Sequence, residues 1–210
     1  MYISSDFSRL EINLGGCLEN YRYFRSKLEV STKLLVLVKA NAYGHGAVQF
    51  ASLMEEAGAD YLAVAYPIEG IELRQAGIKS PIMVLTAGTD SFEQIVNYGL
   101  EPGIPNMYSL KILCDVLEKR GLKGFPIHIK LDTGMHRLGF MTEELPELMD
   151  FLKTCTAVTV KSVYSHLAAA DDASCDDFTL GQIALYKENA DKLTEALGYK
   201  PLYHVLNSAG

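Results

Sequence analysis

Residues 34–46 read LLVLVKANAYGHG, and this stretch decides the fold. Its first five residues, 34–38, are all apolar, the pattern of a strand covered on both faces, as in a parallel sheet. The run ends on Lys39. That places an amine at the C-terminal end of the strand, where barrels and doubly wound sheets carry their chemistry. A lysine there either snorkels to solvent along its stem or sits partly buried, which lowers its pKa towards a nucleophilic amine. A loop with Asn41, Tyr43, Gly44, His45 and Gly46 follows, and then a helical pattern begins.

Outward from this stretch the strand–helix unit recurs. Upstream, residues 10–14 read as a short strand, with Leu18, Tyr21 and Phe24 on one side of a following helix. Downstream, Phe50, Leu53, Met54 and Ala57 keep i, i+3, i+4, i+7 spacing up to Gly58. Strands are predicted at 61–65, 82–85, 100–104, 126–131, 158–164 and 202–206. The first two helices between them carry Ile68, Ile71 and Leu73 up to Gly77, then Phe92, Ile95 and Val96 up to Gly99. The third carries Leu110, Leu113, Cys114 and Leu117, with Asn106 as cap and Gly121 as stop. The fourth begins at Thr142, has Pro146 in its first turn, and turns Leu145, Leu148, Met149 and Leu152 inward. The last shows a Thr179/Gln182 capping-box pattern, an inward stripe of Ile183, Tyr186, Ala190, Leu193 and Leu197, and a stop at Gly198.

Strict alternation of this kind means an α/β fold with a parallel sheet. A doubly wound sheet and a (β/α) barrel both satisfy it. The barrel is preferred, because Lys39, Arg137, His166 and Asn207/Ser208 follow separate strands, and barrel sites are assembled from many βα loops. A dinucleotide-binding sheet would concentrate its signature in one G-x-G-x-x-G loop, and the sequence has none. From residue 34 onward seven strands are found, whereas a closed barrel has eight and an opened one leaves unpaired edges. The expectation is a (β/α)8-type TIM barrel incomplete at its C-terminal end. Residues 1–210 would form one barrel domain cut from a longer protein.

Composition narrows the function classes. A chain of 210 residues, 49% hydrophobic, can bury a substantial core. A net charge of −7 with no Lys/Arg cluster argues against a nucleic-acid surface. No apolar run is long enough to cross a bilayer, and the N-terminus lacks a basic-then-apolar signal, so no membrane partner is expected. Cys17, Cys114, Cys155 and Cys175 are scattered with no CxxC pair, which reads as reduced cysteines of a cytoplasmic protein and not as a metal site.

The strand ends offer a lysine, a tyrosine, an arginine, a histidine and an Asn-Ser-Ala-Gly turn. A lysine amine forms a Schiff base with an aldehyde, and pyridoxal 5'-phosphate (PLP) is the common cofactor held in that way. Its phosphate wants hydroxyl and backbone N–H donors in a small-residue turn after a late strand, such as Ser208, Ala209 and Gly210. An arginine suits a carboxylate through its bidentate fork.

The stretch VKANAYGHG at 38–46 resembles the PLP-attachment signature of alanine racemases. EINL near the start, IKLDTGMHRLG, SHLAAAD and the terminal NSAG resemble the same family in the same order, so the likeness covers nearly the whole chain. It implies a fold-type III PLP enzyme with an N-terminal barrel and a β-rich C-terminal domain. Such an enzyme works as a homodimer and interconverts L- and D-alanine for peptidoglycan synthesis. By the same likeness Lys39 would hold PLP and act as one of two catalytic bases, and Tyr43 would bind the cofactor phosphate. Arg137 would contact the substrate carboxylate and orient the second base. Lys130 matches a lysine carbamylated in some members, where a carbamate would neutralise Arg137. His166 would pack on the pyridine ring, and Asn207 and Ser208 would lie near the phosphate. His45 and His136 receive no role, and no metal is implied. The second base, a tyrosine in the family, and the arginine facing the pyridine nitrogen lie beyond residue 210, so these residues alone are expected not to racemise. A non-catalytic PLP-binding barrel, a racemase of another small amino acid such as serine, and an interaction module with an incidental lysine are the competing readings.

Overall fold

A computed structural model describes residues 10–210, which divide into two compact units, one ending at Ile82 and one running from Met83 to Gly210. The first unit is built from α1 (Leu14–Lys27), β1 (Leu35–Leu37), the single turn α2 (Lys39–Tyr43), α3 (Ala47–Glu56), β2 (Tyr61–Val64) and α4 (Pro67–Gln75). Strands β1 and β2 pair in parallel, from Leu35 opposite Tyr61 to Leu37 opposite Ala63. The pairing starts at Asp60, whose carboxylate accepts from the Leu34 N–H at 2.8 Å and from Lys33 Nζ at 3.0 Å. Ala51 and Met54 of α3, Leu62 to Val64 of β2, and Leu73 of α4 form the core of this unit.

Three expectations in or beside this unit are corrected. Residues 10–13 carry no strand, and the chain is helical from Leu14. Asn13 caps that helix, its carboxamide accepting from the Gly16 N–H at 3.1 Å, so the local polar signal outweighed the alternating pattern. Ile68 is exposed, because the buried stripe of α4 is Pro67, Gly70 and Ile71, at i, i+3, i+4. The segment after Lys39 is a left-handed turn and not an open loop.

The second unit runs β3 (Ile82–Val84), entered at the boundary, α5 (Phe92–Asn97), β4 (Glu101–Ile104), α6 (Met107–Lys119), β5 (Phe125–Lys130), α7 (Leu145–Thr154), β6 (Val158–Tyr164), α8 (Asp176–Leu197) and β7 (Leu202–His204). From β3 to β7 each strand pairs in parallel with the next. Helices lay Leu110, Leu113 and Leu117 of α6, Leu145 and Leu148 of α7, and Ala190 and Leu193 of α8 into the core. Each such leucine is worth about 1.5–3 kcal/mol of removal from water. Asn106 caps α6 as expected, accepting from the Ser109 N–H at 2.9 Å, and Gly198 ends α8 in the left-handed region. The Thr179/Gln182 capping box is not formed, since α8 starts earlier, at Asp176, and both residues lie inside it. Cys114 and Cys155 are free thiols with sulfurs 3.4 Å apart. No helix of the described residues is long and apolar enough to cross a membrane.

Strand alternation puts Glu101 and Gly103 of β4, His128 and Lys130 of β5, Ser162 and Tyr164 of β6, and Leu202 and His204 of β7 on one face. Gly103 matters for that face. A Cβ there would collide with Tyr164 Oη and come within 3.2 Å of the Val84 carbonyl oxygen. Tyr164 is buried and cannot swing aside. Gly103→Ala is therefore expected to lower stability by about 1–3 kcal/mol, as overpacked cores do. An unchanged denaturation midpoint would show that the strands can part to admit a methyl group.

Candidate active site at the strand ends

In the first unit, Val38 ends β1 with its N–H donated to the Ala63 carbonyl at 2.8 Å, and Lys39 follows half-buried. The next four residues, Ala40, Asn41, Ala42 and Tyr43, all have φ between 51° and 55°. For L-residues with a Cβ this conformation costs roughly 1–2 kcal/mol each. Of the four, only asparagine tolerates it routinely. The surroundings hold it in place. Asn41 Oδ1 accepts from the Ala47 N–H at 2.7 Å, and the Asn41 carbonyl accepts from the N–H groups of Gly44 and Gly46. Glu69 of α4 accepts from the Ala40 N–H at 2.6 Å through one oxygen and from those of Ala65 and Tyr66 through the other. The turn places the Lys39 ammonium 5.7 Å from the centroid of the exposed Tyr43 ring. His45 Nδ1 lies 2.7 Å from the Ala42 carbonyl, so it donates there and braces the loop.

In the second unit the polar groups gather at the C-terminal ends of β5, β6 and β7. Lys130 is buried, with Nζ 5.0 Å above the Tyr164 ring. Burial, followed by repulsion from Arg137, lowers the Lys130 pKa from 10.5 to about 8, with Asp132 opposing the shift. Burial likewise pushes the Tyr164 phenol well above its ordinary range, and its hydroxyl has no hydrogen-bond partner among the described residues. The segment after β5 folds back on the strand. Phe140 donates to the Lys130 carbonyl, and Asp132 donates its N–H to the Phe140 carbonyl. The Asp132 carboxylate accepts from the N–H groups of Gly134 and His136. Gly139, at φ 134°, allows the close approach, since a Cβ there would lie 2.5 Å from the Asp132 nitrogen. The result is an exposed Arg137 whose charge still reaches Lys130 and Tyr164.

His166 and Asn207 are tied to one segment. The half-buried His166 offers its carbonyl to Gln182 Nε2 at 3.3 Å, while Gln182 Oε1 accepts from the Ala168 N–H at 2.9 Å. Asn207 Nδ2 reaches the Leu167 carbonyl at 3.5 Å, and Asn207 Oδ1 accepts from the N–H groups of Ala209 and Gly210. The exposed Ser208 makes no hydrogen bond among the described residues. Its hydroxyl and N–H are donors in a turn wound on Asn207.

The profile of the alanine racemase N-terminal domain matches residues 12–210. The chain belongs to the alanine racemase family, through its N-terminal domain. It is 38% identical over 202 residues to an alanine racemase of Synechocystis, covering 95% of this chain and 54% of that protein. A relative from Thermodesulfovibrio yellowstonii is 37% identical over 209 residues, covering 98% and 55%. Among solved structures, alanine racemase of Clostridium difficile 630 superposes with a TM-score of 0.88 at 35% identity, over 94% of this chain and 52% of that one. The Bacillus anthracis alanine racemase with bound L-Ala-P superposes with a TM-score of 0.84 at 28% identity. The chain spans about half the length of the curated relatives it matches. The fold class is thereby α/β, a TIM barrel of which seven strands are present.

Within this alanine racemase domain, the structure brings Lys39 near Tyr43 and Lys130 within reach of the Arg137 charge, while Asn207 bonds Leu167, the neighbour of His166 in sequence. His136, exposed and at φ 52°, stands 3.6 Å from Asp132 and serves the loop. Neither Glu69 nor Tyr164 carries a signal of such a role in the sequence, and the spacing of Gln182 points to a cap instead.

Proposed function

We propose that the protein of which these residues are the barrel domain is a PLP-dependent alanine racemase. It would be cytoplasmic and homodimeric, and would supply D-alanine to cell-wall peptidoglycan. The observation that carries this reading is the strained left-handed turn directly after Lys39. Four unfavourable residues in a row persist here because Asn41 and Glu69 hold them, and strain of this kind clusters where a backbone must be pre-organised for chemistry. The donor set fits PLP. Lys39 has no carboxylate within ion-pairing distance among the described residues, so its amine is available to an aldehyde. Ser208 and Tyr43 present hydroxyls suited to a phosphate.

PLP, when bound, supplies an electron sink for the substrate's α-carbon. The chain's own residues do the rest. Lys39 Nζ holds the cofactor and then moves a proton at one face of the α-carbon. By the family likeness Tyr43 would donate to the phosphate through Oη, and Asn207 and Ser208 are likewise assigned to it. Arg137 would orient the carboxylate of alanine through its fork, and His166 would help to hold the cofactor ring. Lys130, as a carbamate, would pair with Arg137 and fix it. A second base is needed for the opposite face.

The test is to incubate the purified chain with PLP, reduce with borohydride and map peptides. A single modified lysine at position 39 is the expected result, and an unmodified 38–46 peptide overturns the reading. D/L-alanine interconversion, followed by chiral analysis, tests the activity of the whole protein.

A further inference from the structure

A file of polar side chains crosses the face described above, from the first residue of β4 to the last residue of β7. Glu101 Oε2 lies 3.0 Å from His128 Nε2, His128 Nδ1 lies 2.7 Å from Ser162 Oγ, and Ser162 Oγ lies 3.1 Å from His204 Nε2. Register places His128 level with both Gly103 and Ser162, Ser162 level with Leu202, and His204 level with Tyr164. Glu101 therefore lies two residues below that level and His204 two above it. The file climbs from the N-terminal to the C-terminal strand ends. His128 and Ser162 are buried, and Glu101 keeps only 13% of its side chain exposed. Barrel interiors are ordinarily filled by Val, Ile and Leu, and a buried polar chain persists only if every member is satisfied. Here Glu101, His128 and Ser162 each find a partner within the file.

Chemistry dictates its polarity. A carboxylate only accepts, so His128 Nε2 carries a proton and donates to Glu101. A neutral His128 then has a bare Nδ1, which accepts from the Ser162 hydroxyl. The Ser162 oxygen in turn accepts from His204 Nε2–H, which leaves His204 Nδ1 bare. One added proton on His128 reverses the sequence: Nδ1–H donates to Ser162, Ser162 donates to His204 Nε2, and the His204 proton moves to Nδ1. His204 itself stays neutral through this change, because burial, then the charges of His128 and Lys130, lowers its pKa to about 3.

We propose that Glu101, His128 and Ser162 form a one-proton relay that sets which nitrogen of His204 carries hydrogen. The relay leaves His204 Nδ1 as a bare acceptor while His128 is neutral, and puts hydrogen on it when His128 gains a proton. His204 lies stacked on Tyr164, centroids 5.1 Å apart and planes within 5°, and Lys130 caps the other member of that stack. It acts as a positioning residue for whatever proton-bearing group meets it. That use rests on placing the active site at these strand ends, whereas the tautomer itself is read without cofactor. The charged and titratable groups around the relay are Glu101 from β4, Lys130 from β5, Tyr164 from β6 and His204 from β7.

The experiment is long-range 15N–1H NMR on the chain labelled at its five histidines, without added PLP. At pH 8 His128 and His204 are both expected as Nε2–H tautomers. On acidification, any change at the His128 ring nitrogens is expected to be matched by a shift of the His204 proton to Nδ1. In Ser162→Ala that coupled shift is expected to be lost. A wild-type His204 that is Nδ1–H at pH 8 overturns the relay whatever the variant does. A coupled shift that survives in folded Ser162→Ala also overturns it. The borohydride mapping is unaffected by either result, so the relay and the PLP reading fail separately.

Discussion

Lys39→Ala is expected to abolish the borohydride-fixed PLP adduct on residues 38–46 completely, leaving the fold intact. The Lys39 side chain contributes no hydrogen bond and no ion pair among the described residues, and its ammonium lies 5.7 Å from the centroid of the Tyr43 ring. Surface changes without such features move stability by no more than about 0.5 kcal/mol. The left-handed turn does not need the lysine either. It is held by Asn41, by Glu69 and by the carbonyls of 38–42, none of which involves Nζ. Loss of adduct can then be assigned to loss of the amine. Lys130 is the competitor, because an amine whose pKa has fallen to about 8 is partly neutral in ordinary buffers and reactive towards aldehydes. Peptide mapping separates the two. Adduct retained on another lysine at wild-type yield would mean that the signature loop is not where PLP is held.

How much of this was legible in the sequence depends on what kind of force fixed each part. All seven strands lie within two residues of where the sequence places them, although continuous apolar runs are not the whole reason: Glu101–Ile104 carries Pro102 and Gly103, and the apolar Leu35–Leu37 is only partly buried. The helix ends set by Asn106 and Gly198 were legible because a cap is a local contact. Residues 10–14 were misread because strand formation needs a partner, which a local pattern does not show. The left-handed turn was invisible in Ala40, Ala42 and Tyr43, which avoid that conformation on their own. What imposes it is partly distant, in Glu69, twenty-nine residues on. Gln182 was read as a cap for its spacing, yet its role is to clamp the backbone of His166 and Ala168 across a strand-to-helix gap. The site residues that the family resemblance marked fall at strand ends. The residues that orient them came only with the tertiary contacts.

The stability difference between Lys130→Met and the parent chain is expected to shrink as pH rises from about 8 to about 10.5. In the folded chain Lys130 releases its proton near pH 8, and in the unfolded chain near the ordinary 10.5. Between those values the unfolded state binds more protons, so raising the pH favours folding. Below pH 8 both states are protonated and the full cost of burying the ammonium beside Arg137 applies. Above 10.5 both are neutral and that cost is gone. The separation corresponds to about 3 kcal/mol, and methionine, which fills similar space without charge, is exempt from it. Taking the difference matters, because Tyr164, Tyr186 and Cys114 have raised pKa values and destabilise the fold at high pH in both proteins. Denaturant unfolding in carbonate-free buffer from pH 7 to 10.5 measures the gap, and a gap that stays constant would show that Lys130 is not held as a strained cation. The same neutral amine can add to carbon dioxide, forming an N–C bond and releasing one proton, which turns a cation repelled by Arg137 into an anion attracted to it. Added bicarbonate at pH 8 should therefore stabilise the parent chain and leave Lys130→Met unchanged. A carbonyl signal from 13C-bicarbonate that survives in the variant would place the carbamate on another lysine.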